Sequence, residues 1–240
     1  MDVTKLIEGF LGSQGLGQTG QRTTSSGQGG LPSGLVGGAA AGGLIALLAG
    51  NKKARKLGGR AIKYGGMAAV AGLAYKAYSD WQNQKTSGTE PSPMALPKPA
   101  AGSGFEIEND QDAAGQDLRL GILRAMISAA NCDNHIDADE HKRIRAQVDA
   151  LGLGADEKGM LYDYFSQPSD PAAIAALART SEQKAEIYMA SALSIDPDTP
   201  EEHNYLKMLA DYMSLPAGLR GHLDAEAAAV RNEVDGAALA

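Results

Sequence analysis

Within the stretch AANCDNHIDADEHKRI, residues 129–144, four carboxylates fall inside eight positions: Asp133, Asp137, Asp139 and Glu140. Beside them stand His135, His141 and Cys132, the only cysteine of the chain. Three kinds of chemistry use such a set. A hard divalent cation takes six to eight oxygens from carboxylates and carbonyls at about 2.3–2.6 Å. A hydrolytic zinc centre takes histidines and carboxylates that converge on one point. A helix start uses acids to accept its orphan N–H groups and to meet the positive end of its dipole.

Spacing narrows the choice. Counted from Asp133, the sixth position is Ala138 and the twelfth is Ile144, where an EF-hand needs Gly and Glu. His135 and His141 are not on one helix face, and no His-Glu-x-x-His run occurs. A zinc hydrolase built from His135, His141, His203 and the acids is therefore the enzymatic alternative, and surface histidines the plainer reading. Cys132 has no indicated partner base and reads as a small residue packed at a helix end. Asp137 or Asp139 before EHKRI suits a cap, as does TPEE, Thr199–Glu202, before HNYL.

An internal repeat gives the stretch a counterpart. SAANCDNHIDADEHKRIRAQVDALGL aligns with SALSIDPDTPEEHNYLKMLADYMSLP when Glu140 is set on Glu202. His141 then meets His203, Ile144 meets Leu206, Val148 meets Ala210, Leu151 meets Met213 and Leu153 meets Leu215. Asp133 falls opposite Asp196 after one gap. Each copy reads as a helix, an acidic turn and a second helix with glutamate in its first turn. Two such turns, Asp133/Asp137/Glu140 and Asp196/Asp198/Glu202, hold enough carboxylates to share one Ca²⁺ or Mg²⁺ if they face each other.

The elements that must position these turns are helical. From Leu118 onward apolar residues recur three and four apart, as in Leu120, Leu123, Ile127 and Ala130. The segment 118–235 predicts an all-α bundle of about seven helices with short loops. Asp156 is the expected cap of ADEKGMLYDYFSQP, and Asp170-Pro171 opens DPAAIAALA. No alternating strand pattern competes.

The first half differs. Residues 1–104 carry 11 Lys/Arg and 4 Asp/Glu, whereas residues 105–240 carry 11 and 25. The basic residues cluster beside an apolar run rather than interleaving with aromatics, which argues for a membrane and against nucleic acid. Residues 1–15 are a short amphipathic stretch without a signal-type core, residues 12–33 lack an apolar period, and 1–33 together read as a disordered tail. GLVGGAAAGGLIALLAG, residues 34–50, reads as a glycine-rich transmembrane helix. Extended by a few residues, it reaches the roughly 30 Å of a bilayer core. Gly34, Gly38 and Gly42 repeat at the spacing that lets two membrane helices self-associate. Lys52, Lys53, Arg55, Lys56 and Arg60 follow, placing the C-terminal side in the cytoplasm. Residues 51–81 are then a basic juxtamembrane and amphipathic segment, with Tyr75, Tyr78 and Trp81 at headgroup depth. A second span over 65–81 is the alternative. Residues 82–117, rich in Pro, Ser, Gly and then acids, read as a linker.

The apolar helix, AANCDNHIDADE and the later IDPDTPEE resemble the TerB-like, tellurite-resistance domain. The glycine-rich segment joined to such a domain is similar to the YebE-like branch of bacterial inner-membrane proteins. The resemblance implies a helical bundle whose two acidic motifs face one another and bind divalent metal. The family pattern Asp-Gly-x-Ile-Asp-x-x-Glu is met by Asp133, Ile136, Asp137 and Glu140, with Asn134 in the glycine position. Asn tolerates the left-handed backbone that Gly supplies. The combined expectation is a non-enzymatic, membrane-anchored module. It binds a divalent cation or a protein partner through Asp133, Asp137, Glu140, Asp196, Asp198 and Glu202, in metal or envelope stress; a scaffold without metal is a further alternative.

Overall fold

A computed structural model describes residues 67–83, 98–107, 110–133, 155–195 and 197–237. The architecture is all-α. The helices are α1 (Met67–Gln82), α2 (Leu118–Ala130), α3 (Ala155–Ser166), α4 (Pro171–Ala175), α5 (Ser181–Ser194), α6 (Pro200–Tyr212) and α7 (Ala217–Ala237). Among the described residues there is no strand, only an isolated bridge between Gln111 and Asp117.

Local chemistry sets the helix starts. Asp117 accepts from Arg119 N at 3.0 Å and holds the Arg119 guanidinium, closing the first turn of α2. Asp170 Oδ1 accepts from Ala172 N and Ala173 N, each at 3.0 Å, with Pro171 at the first helical position of α4. Thr180 caps α5 through Gln183 N at 3.2 Å. Helix α3 begins at Ala155, so Asp156 lies inside its first turn rather than capping it. Helix α6 ends where Ser214 turns left-handed at φ 52°, letting Leu215 N reach back to Ala210 O.

The centre of the bundle is α2 against α5, with Leu118, Ile122, Leu123 and Ile127 facing Ile187, Tyr188 and Met189, all buried. Helix α7 packs on α1 and α5, α4 on α6 and α2, and α3 on α2. The second copy of the repeat places its stripe as the periodicity requires: Leu206, Ala210 and Met213 are buried, and Leu215 packs against the core. The corresponding helix of the first copy lies outside the described residues.

Helix α1 corrects the interfacial and second-span readings of 65–81. Val70, Leu73, Ala74 and Ala77 are buried against α5 and α7, and Ala74 has 0% exposure. Its aromatics pack against the core. The rings of Tyr75 and Tyr78 meet Phe105 edge-on at 5.5 and 5.4 Å, and Tyr78 meets Trp81 at 5.6 Å. Trp81 lies so close to Gly218 on α7 that a Cβ there would stand 3.0 Å from its Nε1. Lys76, the charge that interrupts the apolar stretch, ion-pairs with Glu226 of α7 and with Asp80.

The supposed linker 82–117 is likewise part of the core at its C-terminal end. Phe105 and Ile107 are buried, and Asp112, at 1% exposure, accepts from Ala114 N and Gln116 N at 2.9 and 2.8 Å to close a turn. Ala113 N donates to Leu177 O at 2.8 Å, tying that turn to the segment before α5. Among the described residues the folded unit therefore includes α1 and does not begin at Leu118. Residues 84–97 join two parts of one unit. The expectations for residues 1–66, including the Gly34–Gly50 span and the Gly34/Gly38/Gly42 contact, fall outside the described residues.

Candidate functional site: two acidic turns around Cys132

Helix α2 ends at Ala130. Asn131 caps it, donating its N–H to Ile127 O at 3.0 Å, and its side-chain amide reaches Phe165 O at 3.4 Å. Cys132 and the exposed Asp133 follow directly. The second turn is the start of α6. There Thr199 Oγ1 accepts from Glu202 N at 3.3 Å. Glu202 Oε2 accepts in return from Asp198 N at 3.1 Å, Thr199 N at 3.2 Å and Thr199 Oγ1 at 3.0 Å. This reciprocal capping box follows from the Thr-Pro-Glu-Glu order.

The two turns both bear electrostatically on the Cys132 thiol. Its pKa is pushed up to about 12, first by burial and then by the negative charge of Glu202, Asp133 and Glu201. Carboxylates from both copies of the repeat thus act on one sulfur atom. A thiol so placed stays protonated at neutral pH and is a poor nucleophile or metal ligand. Glu202 itself is raised by burial, against the hydrogen bonds from Thr199 and Asp198 that lower it.

Of the six acids expected to bind, the structure brings together Asp133 and Glu202, with Asp198 in the same cap as Glu202. Asp137, Glu140 and Asp196 lie outside the described residues, as do His135, His141 and Asp139. Among the described residues no group of three or more His, Cys, Asp or Glu side chains is gathered to hold a metal ion. Glu202 is engaged as a cap through one oxygen, and Glu201 enters beside it though the repeat alignment had not singled it out. His203 Nδ1 lies 2.9 Å from Thr199 O and His222 Nδ1 lies 2.9 Å from Gly218 O, so each ring is tied to its own helix.

A second acidic group had no motif to announce it. Glu186, in the middle of α5, is fully buried with neither carboxyl oxygen hydrogen-bonded. The sign available in the sequence is a glutamate at a core register position of KAEIYMASALS, one residue before Ile187.

A search of curated proteins finds the "Uncharacterized protein in ampR 5'region" of Yersinia enterocolitica, 26% identical over 120 residues, which cover 50% of this chain and 86% of that protein. No solved structure matches this chain. The family described as "Protein of unknown function (DUF533)" matches residues 34–227, from the glycine-rich segment to α7, and the chain belongs to that family.

Proposed function

We propose that this chain is a membrane-anchored, non-enzymatic helical module of the TerB-like kind, with two acidic turns presenting one negative face to a divalent cation or to a basic segment of a protein partner. The observation that carries the reading is that Asp133 from the first repeat and Glu201 and Glu202 from the second all act as negative charges on the partly buried Cys132 thiol. Repeat symmetry puts Asp137, Glu140 and Asp196 in the same two turns. The anchor reading rests on the charge-free run 34–50 followed by Lys52, Lys53, Arg55, Lys56 and Arg60, and the family match includes that run. A single span places the helical module in the bacterial cytoplasm, at the inner membrane.

The chemistry favours a weakly held, exchangeable ligand over a rigid cage. Glu202 has one oxygen already committed to three donors, and Asp133 and Asp198 are exposed. An exposed carboxylate pays little desolvation when it meets a cation, and gains correspondingly little.

The test is calorimetric titration of the full-length chain in detergent with Ca²⁺, Mg²⁺, Mn²⁺ and Zn²⁺, alongside Asp133→Asn/Asp137→Asn. These substitutions leave the α6 cap intact. Binding of Ca²⁺ or Mg²⁺ weakened at least about tenfold in the double variant, with a melting temperature raised by the ion only in wild type, is the expected result for a cation. Heat unchanged by the variant sinks the acidic-turn site. No heat with any ion sinks the cation reading and leaves the basic-partner reading to be tested by pull-down with the same variant.

A further inference from the structure

The buried Glu186 is the group that the acidic-turn reading does not use. It has 0% exposure, and both oxygens lack a hydrogen-bond partner. A carboxylate held this way carries the full cost of desolvation with nothing to offset it. Its surroundings make ionisation harder still. One turn earlier on the same helix stands Glu182, and across from it stands Asp110, at the start of the turn that precedes α2; both act on Glu186 as like charges.

Asp110 is also the fastening point of that turn. Its carboxylate accepts from Gln183 Nε2 at 2.6 Å and from the Arg179 guanidinium at 2.8 Å, while Gln183 Nε2 also donates to Gln111 O at 2.9 Å. Gln183 is itself fully buried. The segment 110–117 is thus clamped onto α5 within one helical turn of a carboxyl that has no counter-ion among the described residues.

The other charged groups on neighbouring elements are already engaged. Lys76 on α1 pairs with Glu226 and Asp80, and Tyr78 faces Glu182. On α2, Arg119 pairs with Asp117 and Arg124 lies over the Tyr164 ring. On α7, Asp224 accepts from Tyr188 Oη and lies near Arg220, and Arg231 donates to Ala192 O. On α6, Glu202 serves the cap. No cation from these elements neutralises Glu186.

We propose that Glu186 is a proton-operated latch: while its carboxyl is protonated the segment 110–117 stays clamped on α5, and loss of that proton to solvent sets three carboxylates against each other and releases the segment. Burial and the charges of Asp110 and Glu182 push the group up to about 9, against an ordinary value of 4.5. With the closed-state value raised, closure is fully favoured below the ordinary value. It weakens as pH rises through the window between the two, by up to about tenfold in the closed-to-open ratio per pH unit.

Hydrogen exchange on the full-length chain in detergent reads this directly, at pH 6 and pH 9 with labelling times scaled for the intrinsic base-catalysed rate. The amides of Asp112, Ala113 and Leu118, which bond to Gln116 O, Leu177 O and Asp110 O, report the clamp. In wild type their protection is expected to fall at least tenfold more than the scaling accounts for, while amides in the middle of α2 keep theirs. In Glu186→Gln, which has the shape of the neutral acid, protection is expected to be the same at both pH values. Equal protection in wild type at both pH values overturns the latch, as does an equal loss in Glu186→Gln. Loss spread evenly over α2 also overturns it, because the pH effect would then be on global stability.

Discussion

Thr199 and Glu202 show how one set of atoms answers two readings of the same residues. The order Thr-Pro-Glu-Glu is sufficient for a capping box, and the box forms, with Glu202 accepting from Thr199 and from the Asp198 amide. Thr199→Ala is expected to cost about 1 kcal/mol of stability, the usual worth of an N-cap hydroxyl, measured by urea denaturation. An unchanged midpoint would mean that Pro200 and the α6 packing set the helix start unaided. That each acidic turn begins or ends a helix was legible in the sequence. That Asp133 would share an electrostatic neighbourhood with Glu202 was implied only by the family resemblance, and Glu201 was not foreseen there, because the chain positions are far apart and packing alone brings them together. Cys132 reports the convergence. With its thiol raised from the ordinary 9.0 to about 12, its thiolate is depleted across that interval, so native alkylation by iodoacetamide at pH 8 is expected to be about a thousandfold slower than in the urea-unfolded chain. Because protonation is favoured by the fold, this contribution to stability is whole below pH 9 and is lost as pH rises toward 12. Glu201→Gln, on the other turn, is expected to quicken the native reaction roughly two- to threefold, the effect of removing one partly screened charge. No change on Glu201→Gln would separate the two turns.

At the scale of elements, α2, α5 and α6 followed from apolar spacing and, with α4, from caps with side-chain oxygens, because these four start on Asp or Thr. Helix α1 was misread for an instructive reason. Its stripe, Val70, Leu73, Ala74 and Ala77, is a core stripe, but it is built largely of alanine, carries Lys76 and ends in aromatics, which is also what an interfacial helix looks like. What settles the matter is tertiary: Glu226 on α7 neutralises Lys76, and Phe105 receives Tyr75 and Tyr78. Phe105 and Ile107 were hidden in turn by the acids around them. A fragment of residues 105–240 therefore lacks one wall of its core and is expected to melt without a cooperative transition. Residues 67–240 should give a sigmoidal one by circular dichroism. Cooperative melting of the shorter fragment would make α1 an accessory. Within the intact chain, Leu73→Ala is expected to cost about 2–5 kcal/mol, as for other buried leucines that leave a cavity.

For the whole molecule, moving α1 into the bundle changes how the chain meets a membrane. The interval 84–97 begins and ends in the same folded unit, so it is not the tether between anchor and domain. Under the proposed anchoring, that role falls to the 51–66 interval, which carries Lys52, Lys53, Arg55, Lys56 and Arg60 and is short enough to span about 55 Å at most. The acidic bundle and the basic stretch are thus covalent neighbours, and the proposed anchor would keep the negative face close to the bilayer surface and at high effective concentration there. Among the described residues no helix is long and apolar enough to cross a membrane. With residues 67–82 committed to the core, a hairpin of two spans has lost its second member. The proposed single crossing by residues 34–50 would put the two ends of the chain on opposite faces, the C-terminus on the side of the five basic residues. A reporter active only in the cytoplasm, fused after Ala240, is expected to be active, and one active only outside the cytoplasm, fused at the same place, silent. Cysteines introduced singly at Ser13 and Ser26 should be labelled from the outside of intact cells by an impermeant maleimide. The opposite pattern in both assays would place the helical module outside. Labelling at neither position, with the cytoplasmic reporter active and the chain released from membranes by carbonate, would mean that the glycine-rich segment does not cross at all.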